Sequence, residues 1–312
     1  MNTLKCGHIS RSKNKVNYFV NDLNSLLYVI IPKFNYVNLN CTKYHPYNLF
    51  VKAVELKRDN KNLSDINKLE IIKLQKEMQN MSGKWIPNSI NDKITITKFW
   101  LAGFIDGEAT FLTNKYIPWF KLENHIKELE LYNKIRDLLN TGKILYTSSR
   151  IERNPTIILE INKITELKEN LIPLMYYDYN VILKTLKSKD LLLWLKLVDI
   201  YYKGYHTTLE GKYIFDAIKL HINKYRLITN SSILLNKERI SIEKLEALIP
   251  ELYLKESSYE IKQNRRYYRN TDKLISEGTR IVAMKDNHMK IYNSISEYIW
   301  MGKRLKYFYK VY

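Results

Sequence analysis

The apolar positions of residues 98–111, around "WLAGFIDGEATF", first recur three and four apart and then at every second residue. That change of period predicts a helix over 98–107, with Thr97 as its N-cap, followed by a strand pair over 109–123. Alternation along "ATFLTNKY" sets Phe111, Thr113 and Lys115 against Thr110, Leu112, Asn114 and Tyr116, and Phe111 marks the core face. Further on, the pattern predicts a helix over 126–140 and a second strand pair over 143–161, turned at "RIERNP". Helices follow near 164–171, 188–203 and 209–224.

The chain also repeats itself. At one constant spacing Lys43 meets Lys187, Phe50 meets Trp194, Lys52 meets Lys196, Val54 meets Val198 and Ser64 meets Thr208. Upstream, "IIPKF" at 30–34 faces "LIPLM" at 171–175, and Gly7 faces Gly142. An ordered series of this kind points to duplication. The first copy then holds a strand pair around 8–20, a short helix over Asp22 to Ile31 and two longer helices. Its acidic helix is expected upstream of Met1 in a longer reading frame, or from another molecule. This gives four segments: the latter half of a first repeat (1–80), a linker (81–97) containing "MSGKWIPNSIND", a complete repeat (98–250) and a basic extension (251–312).

Charge changes the picture. Among 312 residues, 51 Lys and Arg against 32 Asp and Glu leave a net charge of +19, which favours a polyanion such as nucleic acid. The 45% hydrophobic content is enough for a sizeable core, yet the apolar runs are shorter than the roughly 20 residues of a membrane span. Two cysteines without a CxxC and six scattered histidines give no soft-metal site, so a bound metal would be hard and held by oxygen. The 25 Tyr and the many Asn, Lys and Ile look like translation from AT-rich DNA. With no import pattern in the opening residues, an organelle-encoded protein of the mitochondrion is expected.

Two carboxylates, Asp106 and Glu108, end the first predicted helix, where anions oppose the helix dipole. Ala102, Gly103, Asp106 and Gly107 share a stripe nearly bare of side chain, against which a second helix can pack, while Leu101, Phe104 and Ile105 point to the core. Thr110 and Asn114 are left to meet base edges, and Lys143, Ser148, Arg150 and Arg153 to meet phosphates or bases. In the extension, "KQNRRYYRNTDK" interleaves Arg265 and Arg266 with aromatic residues, as a nucleic-acid-tracking segment would.

The motif, together with "YNVILKTLKSKDLLLW" and "KGYHTTLEGKYIFDAIKL", resembles the LAGLIDADG homing endonucleases and intron maturases, over about 98–226 as a whole unit and 5–80 as half of one. Ala109 stands where the family usually has Gly. The resemblance implies an α+β saddle built from αββαββα repeats with antiparallel sheets, the first repeat incomplete. It implies that Glu108, beside the Gly107 carbonyl, holds Mg²⁺ or Mn²⁺, with Asp106 in the same acidic group. Lys187 and its repeat counterpart Lys43 would be the basic residues near the scissile phosphate. Residues 281–299 slightly resemble a small module appended to such nucleases.

Three functions follow as expectations: a DNA endonuclease of intron homing cutting a double-stranded target, a maturase that assists splicing of group I intron RNA, or a recruited RNA-binding protein. The bare helix face is expected to be covered by self-association, by an upstream half of a precursor, or by RNA.

Overall fold

A computed structural model of the chain describes residues 4–12, 15–37, 39–58, 64–81, 95–147, 154–177, 180–181, 183–223, 240–263 and 265–275. Two compact units make it up: Met1–Ile96 with Lys127–Lys134, and Thr97–Ile126 with Ile135–Tyr312.

The first unit opens on the antiparallel hairpin β1 (His8–Ser12) and β2 (Lys15–Phe19). Gly7 precedes it at φ 76°, where an added Cβ would stand 2.5 Å from the Phe19 carbonyl, so only glycine fits. A helical run follows as α1 (Leu23–Ser25), a π-helical turn (Leu26–Ile30) and α2 (Ile31–Val37). Then α3 (Tyr44–Arg58) and α4 (Asp65–Met81) pack together over Leu49, Val54 and Leu74. Buried Asn40 is held by a reciprocal pair of hydrogen bonds with the Thr95 backbone at 2.7 and 3.2 Å.

The second unit begins with α5 (Lys98–Glu108), capped by the Thr97 hydroxyl, which accepts from the Trp100 N–H at 3.1 Å. After it come β3 (Ala109–Asn114), β4 (Ile117–His125), a 3₁₀ turn (Ile126–Glu128), α6 (Leu129–Leu139), β5 (Lys143–Thr147) and β6 (Thr156–Ile161). The four strands form one antiparallel sheet in the order β3-β4-β6-β5, so the segment has the αββαββα order of an α+β fold. One face of the sheet carries the core: Ala109, Phe111, Phe120, Leu122, Ile144, Leu159 and Ile161 are buried. Trp194 of α9 (Lys187–Tyr202) closes that core, its ring 5.2 Å from Phe111 and its indole N–H donating to the Leu112 carbonyl at 3.0 Å. A second cluster joins α9 to α10 (Leu209–Lys219) and α11 (Ile242–Tyr253) through Leu197, Ile200, Phe215, Ile218, Leu245 and Leu252. Among the described residues the last element is the hairpin β7 (Tyr259–Lys262) and β8 (Arg265–Tyr268).

The repeated positions take the same local roles. Gly142, like Gly7, has positive φ (100°) just before its strand pair. The run α7 (Ile164–Glu166), a π-helical turn (Leu167–Leu171) and α8 (Ile172–Met175) matches that of the first unit. In both, an Ile-Pro pair follows the π turn. Proline lacks the N–H that closes a helical turn, and a wider turn accommodates the gap. Ser64 and Thr208 each cap a helix, accepting from the N–H three residues on at 3.3 and 3.1 Å.

Four boundaries differ from expectation, the first being the helix expected over Asp22 to Ile31, which runs on to Val37. The helix near 209–224 stops at Lys219, because Asn223, at φ 56°, is drawn away by bonds to buried Asp190 and to the Phe111 carbonyl. The helix near 164–171 runs on to Met175. A division at 250/251 would cut through α11, which the Ser241 hydroxyl caps at the Lys244 N–H (3.3 Å) and whose apolar residues bind it to α10. Residues 82–94 of the linker, the turn at 148–153 and the module at 281–299 lie outside the described residues. Among the described residues no helix is long and apolar enough to cross a membrane.

Candidate functional site

α5 is short and mostly apolar on one side: Leu101, Ala102 and Ile105 are buried. Ala102 therefore faces inward, a correction to its place on the bare stripe. On a helical wheel it falls beside Leu101 and Ile105, whereas the open side runs through Phe99, Gly103 and Gly107. A Cβ added at Gly103 or Gly107 would meet nothing within 4 Å. Phe104 is half-buried and stacks on Trp100, with ring centroids 5.0 Å apart.

At the C-terminal end of this helix the acids diverge. Asp106 turns toward the loop that leads into α9 and accepts three hydrogen bonds: from the backbone N–H groups of Lys184 and Thr185, both at 3.1 Å, and from the Thr185 hydroxyl at 2.5 Å. Its oxygens are thus committed to holding that loop, which makes it a positioning residue. The loop in turn delivers Lys187, whose ammonium donates to the carbonyls of Ala109 (2.6 Å), Ile105 (3.3 Å) and Gly107 (3.5 Å). These are the carbonyls that end α5, and a cation there satisfies both their lone pairs and the helix dipole. Glu108 is exposed, and among the described residues it makes no hydrogen bond or ion pair. Ala109 is extended, at φ −77° and ψ 155°, so the absence of glycine there causes no strain.

The same device recurs in the first unit. Buried Glu128 accepts from the Thr42 N–H at 3.0 and 3.2 Å and from the Thr42 hydroxyl, fixing the turn before Lys43. Lys43 itself is exposed.

Glu108 and the Gly107 carbonyl are hard oxygen donors, right in kind for a divalent cation. They would supply two of the six positions that Mg²⁺ prefers, and such an ion keeps waters and takes phosphate oxygens for the rest. Among the described residues no cluster of three or more His, Cys, Asp or Glu forms a closed metal cage.

Beyond the end of α5 lies the outer face of the sheet. Thr110 is half-buried and Asn114 exposed, both on the side away from Phe111. Lys143 is half-buried on β5, and burial lowers its pKa, the neighbouring Glu160 acting in the opposite sense. Ser148, Arg150 and Arg153 lie outside the described residues. On the hairpin, Arg265 is exposed but Arg266 is buried, its guanidinium 5.6 to 5.7 Å from the rings of Tyr201, Tyr202 and Tyr259. It anchors the hairpin and has no surface for a phosphate, a correction to its expected role. Sequence reading passed over Lys121, Glu123 and Glu160, which share the outer face with Thr110. The alternation of "IPWFKLENH" and "TIILEI" carried that signal.

The sequence model described as LAGLIDADG endonuclease matches residues 101–198, from the middle of α5 to within α9. Among curated proteins, the chain is 25% identical over 212 residues to "Uncharacterized mitochondrial protein RF1" of Saccharomyces cerevisiae, covering 61% of this chain. It is 24% identical over 241 residues to "Probable intron-encoded endonuclease 3" of Neurospora crassa, covering 70% of this chain. In each case the match spans only 43% of the relative's length. Among solved structures, the I-SmaMI LAGLIDADG homing endonuclease bound to cleaved DNA superposes with a TM-score of 0.60 at 24% identity, over 71% of this chain and 79% of that one. The LAGLIDADG homing endonuclease I-GzeII in complex with its DNA target does so with a TM-score of 0.61 at 22% identity, over 72% and 82%. It is residues 101–198, which carry the acidic helix end, the four-stranded sheet and the lysine that joins them, that are similar to the LAGLIDADG endonuclease family.

Proposed function

We propose that the chain acts as a sequence-specific, divalent-metal-dependent DNA endonuclease of intron homing in mitochondria, with the outer face of the sheet lying in the major groove. The observation that carries this reading is the end of α5: an exposed Glu108, without a side-chain partner among the described residues, beside a helix terminus whose Ile105 and Ala109 carbonyls are taken by Lys187. A carboxylate held outward at a helix C-terminus opposes the dipole and gains nothing for folding, which fits a ligand awaiting a cation. A bound Mg²⁺ or Mn²⁺ would neutralise charge on the phosphodiester and lower the pKa of a bound water. Glu108 and Gly107 would hold it, Lys187 would fix the helix end and add positive charge nearby, and Asp106 would keep the Lys187 loop in place. The intron-encoded Neurospora relative and the mitochondrial yeast relative support the homing context.

Glu108→Gln tests the reading, because a neutral amide is a poorer ligand for a hard cation. The variant is expected to lose Mg²⁺-dependent cleavage or nicking while its affinity for duplex DNA stays within a few fold. Undiminished cutting by the variant would remove Glu108 from the mechanism. A second reading, a maturase or a recruited RNA-binding protein with weak or no cleavage, draws on the single "LAGFIDGE" stretch in the given sequence, since cutting two strands needs two such acidic helix ends. Tight, salt-sensitive binding of group I intron RNA by a chain that cuts no DNA would favour it.

A further inference from the structure

The strand register lines up Thr110, Lys121, Glu160 and Lys143 in one row across the sheet, each opposite the next on β3, β4, β6 and β5. The row lies on the outer face, because Ala109, Phe111, Leu159 and Ile161, the neighbours of its members along the strands, are all buried on the other. A carboxylate in the middle of it is out of keeping with a face meant for phosphates. The charges of Lys143 and Lys121 favour its ionised form, but neither lysine holds it by a direct contact. Lys121 turns to Glu123 on its own strand at 2.6 Å, and Glu123 also accepts from the Thr156 hydroxyl at 3.1 Å. Among the described residues the side chains of Glu160 and Lys143 make no hydrogen bond and no ion pair within 4.0 Å. Burial raises the Glu160 carboxyl above its ordinary range, with Lys143 and then Lys121 pulling it back.

An ionised carboxylate only accepts hydrogen bonds. In the major groove, what it can accept from is an exocyclic amino group, and the Glu pairing that fits best is to cytosine N4, while lysine donates to guanine O6 and N7. A single G·C pair presents both edges side by side, and strands about 4.8 Å apart set two side chains at a matching distance. Resting on the DNA-binding reading above, we propose that Glu160 and Lys143 are specificity-determining residues that together read one G·C pair, Glu160 accepting from the cytosine amino group and Lys143 donating to guanine.

The test is selection of bound duplexes from a pool with a randomised core, using the full chain. The wild type is expected to fix one position as G·C. Glu160→Gln should lower that preference about tenfold and let adenine in, because glutamine pairs with the adenine N6 and N7 edge, while preferences at the other positions stay put. Glu160→Asp, which keeps the charge, should retain cytosine, and this guards against a folding defect in the first variant. Unchanged preferences in Glu160→Gln, or a uniform fall in affinity at every position, would overturn the assignment and leave DNA binding standing. Failure of the wild type to bind any duplex would instead sink the DNA-binding reading, and this one with it.

Discussion

Three carbonyl oxygens converge on the Lys187 ammonium, and three donors converge on the Asp106 carboxylate, within one turn of the same helix end. These two clusters form a single joint, since the loop that Asp106 grips is the loop that presents Lys187. Replacing Lys187 by Met is expected to cost about 1 to 2 kcal/mol of stability through the uncompensated helix end. Asp106→Ala should cost about 1 to 3 kcal/mol for the stranded donors. Because each change loosens the same joint, the double variant should lose clearly less than the sum of the two. Chemical denaturation of the three variants measures this, and strict additivity would mean that the two clusters are independent. Of this arrangement the sequence made legible the acids and, through the repeat, the two lysines. The hydrogen bonds that turn Asp106 inward come from residues 78 and 79 positions away and leave no trace in local periodicity.

At the scale of elements, the hairpin at 259–268 is held by a knot of rings. His206 packs at a tilt against Tyr201, ring centroids 4.3 Å apart, and meets Tyr259 edge-on, and Arg266 lies among the same tyrosines. Burial, and then the Arg266 charge, lower the His206 pKa from its ordinary 6.5 to about 4. The folded protein therefore keeps this imidazole neutral where the unfolded chain would protonate it. The stability it contributes is complete above pH 6.5 and is lost as pH falls toward 4. Melting temperatures taken across that window should decline, and His206→Phe, which keeps the stacking, should flatten the decline; an equal slope in the variant would place the effect elsewhere. In sequence, this hairpin read as a basic and aromatic tract, and only its partners make Arg266 structural. The helices and strands of 98–202 were legible because their two periods differ plainly. The π-helical turns were not, since an apolar run with one extra residue keeps nearly the same stripe; nor was α11, where the charge shift of the extension drew a boundary across an apolar pattern that continues to Tyr253.

For the whole molecule, a net charge of +19 sets the terms on which it meets a polyanion. If the outer face of the sheet and its surroundings contact six to ten phosphates, affinity for duplex DNA should fall by about 10³ to 10⁵ between 50 and 200 mM salt. Fluorescence anisotropy across that range checks it, and a flat profile would speak against phosphate contact. The exposure of Glu108 reaches further than any assay of cutting. Asp106 and Lys187 at the end of α5 are held by hydrogen bonds within the fold, whereas among the described residues the Glu108 carboxylate makes none. On the proposed function, the reaction is what constrains that position. A lineage that ceased to cut could therefore change this one acid and inherit the scaffold whole, with its sheet, its charge and its partners intact. If Glu108 holds the metal as proposed, descendants that bind without cleaving lie a single substitution away, and none of them would have to pass through an unstable ancestor.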